Sequence, residues 1–88
     1  MNVRIYTTAL CSYCLRAKKL FEDRDVAFDE IDVTFSPALR TEMVEKSNGT
    51  RSVPQIFIDG NHIGGCNELF AIEENGELDT LLFNEKLS

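Results

Sequence analysis

The sequence predicts a single α/β domain built on a mixed four-stranded sheet with helices on both faces. Three observations lead there. β-prone runs recur at 3–7, 26–33, 53–58 and 62–63. Stripes of helical period separate the first three runs and follow the fourth. An Asp59-Gly60-Asn61 turn joins the last two strands as a hairpin. The first strand, helix and strand form a βαβ unit, whose strands are parallel and whose crossover is right-handed. The hairpin makes the second half antiparallel, so the sheet is mixed. At 88 residues the chain is short enough for one domain, 1–88.

Each element has its own cause. Val3-Arg4-Ile5-Tyr6-Thr7 is β-prone with partial alternation. Cys14, Ala17, Leu20 and Phe21 recur at helical spacing, with Arg16, Lys18 and Lys19 on other faces, which predicts a helix over about 12–24. Phe28 and Ile31 among acids give the second strand. Ser36-Pro37 is an N-cap followed by proline at the first helical position. Leu39, Met43 and Val44 form that helix's stripe, and Asn48-Gly49 stops it. Gly64-Gly65 breaks the return strand. Leu69, Phe70 and Ile72 begin another helix, ended by Asn75-Gly76, and Leu78, Leu81 and Leu82 predict a short last one.

Composition excludes several classes. With 43% hydrophobic and 27% charged residues the chain is ordinary for a globular protein, neither disordered nor collagen-like. Nine Lys and Arg against 15 Asp and Glu leave a net charge of −6. That charge repels phosphate backbones and anionic lipid, so no nucleic-acid or membrane partner is expected. No run of about 18 apolar residues is present to span a bilayer. Three cysteines are too few and odd in number for a secreted disulfide framework. The N-terminus lacks a basic start followed by an apolar segment, so the expected compartment is the cytoplasm.

The sharpest chemical feature is Cys11-Ser12-Tyr13-Cys14, placed where the first strand hands over to the first helix. Free N–H groups and the positive end of the helix dipole stabilise an anion there, and the thiolate is the reactive form of cysteine. Cys14 lies one turn in, on the apolar stripe. The asymmetry suits a dithiol pair in which Cys11 attacks and Cys14 resolves the mixed disulfide. Two other readings stay open at this point. Cys11 and Cys14 could form half of a zinc site completed by His62 and Cys66, or could be ordinary core cysteines. Haem attachment is excluded, because Leu15 rather than His follows Cys14.

Two further segments stand out. Arg51-Ser52-Val53-Pro54 is either a plain strand start or, with a cis bond before Pro54, a turn that offers the Val53 N–H and C=O to an extended peptide. Gly64-Gly65-Cys66-Asn67-Glu68 is either a helix start or a nest of N–H groups that binds an anion. His62 reads as a polar edge-strand position, and Tyr6 and Phe57 read as core. Tyr13 sits inside the exposed loop between the two cysteines.

Together these segments resemble a glutaredoxin, with the thioredoxin fold. The likeness runs from Val3 to about Leu82 and is most specific over Val53-Pro54-Gln55-Ile56-Phe57-Ile58-Asp59 with His62-Ile63-Gly64-Gly65. It is similar above all to the small bacterial dithiol glutaredoxins. Thioredoxin itself fits less well, because no Trp precedes Cys11 and a glycine pair precedes the third helix. The resemblance implies that Cys11 is the nucleophile and Cys14 the resolving thiol. It implies a cis Pro54, with Val53 pairing to the cysteine of glutathione. Tyr13 and Ser52 would line the groove, and Gly65, Cys66 and Asn67 would hold the γ-glutamyl end. The implied reaction reduces protein–glutathione mixed disulfides and protein disulfides, with glutathione as co-substrate and no metal or other cofactor bound for catalysis. The implied partners are glutathione and glutathionylated or disulfide-containing proteins, and the implied state is a monomer.

Four positions depart from the family pattern: Ser12 for the usual proline, Thr8 for a basic residue, Asn67 for an acid, and Ser52 for the commoner Thr. Glutathione carries two carboxylates, so a cation is still expected in the groove, and Arg51, then Arg40, are the candidates. Ser12 also resembles the residue found in some glutaredoxins that carry a [2Fe–2S] cluster bridged between two chains. A cluster carrier is therefore the second reading, and the zinc module the third.

Overall fold

The structure, a computed structural model, describes residues 2–83. Its elements follow the predicted order: β1 (Val3–Thr7), α1 (Ser12–Asp23), β2 (Asp29–Asp32), α2 (Pro37–Lys46), β3 (Gln55–Ile58), β4 (Asn61–Gly64), α3 (Cys66–Glu74) and α4 (Glu77–Phe83). The sheet runs β2-β1-β3-β4. β1 and β2 are parallel, from Arg4 opposite Asp29 to Thr7 opposite Asp32. β3 is antiparallel to β1, from Val3 opposite Ile58 to Tyr6 opposite Gln55. β3 and β4 form the hairpin, and their register shifts between Ile56 and Phe57. Asp59 and Gly60 both hold positive φ, 51° and 81°, as a two-residue hairpin turn of this kind needs.

Strand alternation decides the layering. Val3, Ile5, Ile56 and Ile58 point to one face, where Ala17 and Phe21 of α1, Leu69 of α3, and Leu78 and Leu82 of α4 complete the larger core. Tyr6 and Phe57 point to the other face, where they meet Val33 and Met43 of α2. Three helices thus cover one face and α2 the other. Each large apolar side chain buried this way contributes about 1.5–3 kcal/mol. Arg24, the C-cap of α1, pairs with Glu73 of α3 and Asp79 of α4, tying the helices of the larger layer at one corner.

Two strands are shorter than the sequence predicts. The second spans 29–32 rather than 26–33, because Val26 and Val33 turn into opposite cores at its two ends, Val33 still donating its N–H to the Thr7 carbonyl at 2.9 Å. It is the outer strand beside β1, and Asp29, Glu30 and Asp32 are exposed. The third begins at Gln55 rather than Val53, since Pro54 has no N–H to give the ladder. The segment 50–54 is thereby left to face the first cysteine.

Candidate active site

β1 ends at Thr7, and four residues later Cys11 caps α1. Its backbone is extended, at φ −148° and ψ 107°, and its sulfur accepts the Cys14 N–H at 3.1 Å. The sulfur therefore occupies the place of a capping oxygen, at the positive end of the helix dipole. Cys11 is half-buried, whereas Cys14 is only 1% exposed, on the same stripe as Ala17 and Phe21. Burial first, and then the hydrogen bond with Cys11, pushes the Cys14 thiol up to about 12. Both thiols are free.

The Cys11 sulfur lies 3.9 Å from the Val53 carbonyl oxygen. The Val53–Pro54 peptide is cis. Buried Gln55 anchors this segment: its Nε2 donates to the Ser52 carbonyl at 2.9 Å and to Ser52 Oγ at 3.3 Å. Gln55 Oε1 in turn meets His62 Nε2 at 2.6 Å. His62 also packs on the Phe57 ring, centroids 5.0 Å apart, on the α2 face of the sheet.

The glycine pair divides its labour. Gly64 stands at φ +120°, a conformation L residues rarely adopt, and a Cβ there would meet Glu68 Cγ and Oε1 at 2.9 Å. Gly65 needs no positive φ. It caps α3, and its N–H donates to Glu68 Oε1 at 2.7 Å. Cys66 follows, buried at the helix start. Burial is the main cause that pushes its thiol up, partly offset by the charge of Arg16.

These pieces meet along an open groove of about 250 Å³, lined by Tyr13, Ser52, Val53, Pro54, Gly65, Cys66, Asn67 and Glu68. Of the residues singled out from the sequence, Arg51 is exposed and lies outside this lining, as does Arg40 on α2. Two others were not assigned a place at the site. Glu68, named only as the end of the glycine-pair segment, lines the groove, and its place three residues after Gly65 is the capping-box spacing that could have found it. Arg16 acts on Cys66 and lies 5.5 Å over the Phe70 ring. Nothing local in the sequence points Arg16 toward α3, and it lies outside the groove lining.

The zinc arrangement does not assemble, since His62 turns to Gln55 and Phe57 while Cys66 starts α3 beside the groove. Among the described residues no group of three or more His, Cys, Asp or Glu side chains could hold a metal ion. Cys14 and Cys66 are buried, so one chain offers Cys11 alone as an accessible sulfur donor. A [2Fe–2S] cluster would need a second chain and thiols from outside. No helix among the described residues is long and apolar enough to cross a membrane.

Comparison with known proteins agrees with this geometry. The glutaredoxin family model matches residues 3–63. The chain is 49% identical over 81 residues to glutaredoxin 3 of Escherichia coli K12, covering 92% of this chain and 96% of that protein. It is 46% identical over 85 residues to glutaredoxin 1 of Rickettsia conorii, covering 96% of this chain and 83% of that protein. The solution structure of glutaredoxin from Brucella melitensis superposes with a TM-score of 0.82 at 48% identity, covering 93% of this chain and 88% of that one. The crystal structure of a buckwheat glutaredoxin–glutathione complex superposes with a TM-score of 0.85 at 29% identity, covering 93% and 76%.

Proposed function

This chain belongs to the glutaredoxin family and is a thiol–disulfide oxidoreductase of the thioredoxin fold, and from that premise we propose that it works with glutathione as its reductant. The Cys11 thiolate attacks the glutathione sulfur of a protein mixed disulfide. The protein thiolate leaves and takes up a proton, and Cys11 is left joined to glutathione. A second glutathione thiolate attacks that bond, releasing oxidised glutathione and the Cys11 thiolate. With a protein disulfide, Cys11 forms the mixed disulfide with the target. Cys14 then loses its proton and attacks the Cys11 sulfur, freeing the reduced target. Two glutathiones reduce the resulting Cys11–Cys14 bond. This exchange needs no bound cofactor.

The observation that carries the reading is that the Cys11 sulfur opens beside the groove between Val53-Pro54 and the start of α3. Val53 lies outside the β1–β3 ladder, which favours its backbone as the partner of the glutathione cysteine. Gly65, Cys66 and Asn67 line the α3 start, where the N–H groups of Cys66 and Asn67 suit the γ-glutamyl carboxylate while that of Gly65 is held by Glu68. Tyr13 and Ser52 form the walls, and Arg51 supplies a cation from outside the lining. Exposed Leu10 and Phe35 flank the site, their loops joined by the Ala9 N–H donating to Thr34 Oγ1 at 2.8 Å. They offer apolar contact to protein targets. The reading takes residues 1–88 as one domain, acting as a monomer in a glutathione-rich cytoplasm.

The test is glutathione-dependent reduction of a small glutathione mixed disulfide beside reduction of a protein disulfide. Cys11→Ser abolishes both. Cys14→Ser keeps the first and loses the second. Loss of the first activity in a folded Cys14→Ser protein overturns the assignment of roles, and turnover independent of glutathione overturns the reductant.

A further inference from the structure

A larger cavity lies at the opposite end of the sheet from Cys11. Arg4 pairs with Phe57 across the β1–β3 ladder, and Phe57 pairs with His62 across β3–β4. Cross-strand partners share a face, and here it is the α2 face. A space of about 440 Å³ opens there, lined by Arg4, Tyr6, Phe57 and, from the last turn of α2, Lys46, with the Asp59-Gly60 turn at its end.

Four features of this space point to a ligand. Arg4 Nε is buried and has no hydrogen-bond partner among the described residues, while the rest of its guanidinium lies near the Tyr6 hydroxyl. Lys46 is half-exposed and only loosely paired, its Nζ 3.9 Å from Glu42 Oε2. The nearby carboxylates are engaged elsewhere. Glu42 Oε2 accepts the Tyr6 hydroxyl at 2.7 Å, and Asp59 Oδ1 accepts the Asn2 N–H at 2.7 Å. The fourth feature is a narrow apolar wall: Phe57 is 7% exposed, and fully buried Tyr6 backs it edge to face, centroids 5.7 Å apart. The lining itself carries two cations and the Asp59 carboxylate, with Glu42 behind Tyr6 and Lys46, within a chain of net charge −6.

We infer that this cavity is a second binding site, for a small organic anion. A phosphate or carboxylate head meets the Arg4 guanidinium and the Lys46 ammonium, and a flat apolar body lies against Phe57. Arginine's planar fork matches both kinds of head. A bare metal cation is repelled by the two basic groups, and inorganic phosphate leaves the aromatic wall uncovered. The volume suits a ligand of one or two rings. The site shares no lining residue with the Cys11 groove.

Amide NMR titration of the 88-residue chain tests this. The probes are phenyl phosphate and phenylacetate, with inorganic phosphate and benzyl alcohol as controls. Saturable shifts at Arg4, Phe57 and Gly60 with either aryl anion, and binding about tenfold weaker for both controls, are expected. Arg4→Met and Lys46→Met each weaken aryl-anion binding by about fivefold. Lys46 stands on an exposed last turn, so its variant keeps the fold and decides the matter even if Arg4→Met does not. Shifts collected in the 65–67 groove, shifts that never saturate, or unchanged affinity in Lys46→Met would overturn the site.

Discussion

Gly64→Ala is the most informative single change in the groove. At φ +120° an alanine backbone is strained by about 1–3 kcal/mol. Its methyl would also sit 2.9 Å from Glu68 Cγ and Oε1 and 3.0 Å from Glu68 Cβ. Glu68 must swing away, and in doing so it gives up the 2.7 Å bond from the Gly65 N–H. Losing that capping contact costs about 1 kcal/mol more. The sum is about 2–4 kcal/mol, and even the lower figure drops Tm by about 8–16 °C in a domain of this size. Glu68→Ala alone costs about 1 kcal/mol, because it removes the cap without strain. In a Glu68→Ala background the contacts with Cγ and Oε1 are gone and only the 3.0 Å approach to Cβ remains, so Gly64→Ala should cost little more than its backbone share. The two changes therefore couple by about 1 kcal/mol. Urea unfolding of the four proteins measures the cycle. Equal cost of Gly64→Ala with and without Glu68 refutes the steric argument and leaves backbone conformation as the whole effect.

Four more outcomes follow from the site. Gln55→Leu removes the anchor of Ser52, and is expected to lower stability by about 1–2 kcal/mol and to raise the KM for a glutathione mixed disulfide with little change in kcat; a loss of stability with KM intact shows that the anchor is purely structural. Arg51→Ala should raise the same KM by up to about fivefold at low ionic strength, and an unchanged KM assigns carboxylate binding to the N–H groups of Cys66 and Asn67 alone. Cys14 has a folded value raised from 9.0 to about 12, so its contribution to stability is complete below pH 9 and is lost as pH rises toward 12. Tyr6, also raised chiefly by burial, adds to that decline, so Cys14→Ser should flatten the alkaline limb of a stability-against-pH curve without abolishing the fall. Mass-spectrometric mapping after iodoacetamide at pH 8 should find Cys11 modified and Cys14 protected, and equal labelling contradicts the burial of Cys14.

The order of elements was legible because each boundary has a local cause. Ser36 and Pro37 start α2, and Ser36 Oγ accepts the Leu39 N–H at 3.2 Å as a cap should. Asp59 and Gly60 make the hairpin. Strand ends were less legible, because Val26 and Val33 have β propensity but are claimed by tertiary packing on opposite faces. Within the site, the segments meeting at Cys11 could be read from motifs, since glycine, proline and cysteine have narrow conformational or chemical uses. Gln55 and His62 could not be assigned their contact that way. Alternation correctly put both on the sheet, but their hydrogen bond arises from strand register, which the hairpin sets at a distance. Arg16 is legible only as a charged helix face until α1 and α3 pack and bring it over Phe70.

The acids of β2 bear on how this protein meets other copies of itself. An outer strand presents unpaired N–H and C=O groups that invite a neighbour's strand. Here that border carries Asp29, Glu30 and Asp32 within four residues, and Glu30 already accepts from Thr7 Oγ1 and Lys18. Two such borders brought together confront like charges across a backbone ladder. At the opposite margin, β4 is four residues long and its pairing slips a register beside Phe57. Neither margin is a good template for sideways growth of the sheet. The molecule can therefore keep the Val53 backbone open beside a reactive sulfur without its sheet margins recruiting stray chains. On the proposed reading, an extended segment would then pair at Val53, beside Cys11, in preference to these two margins.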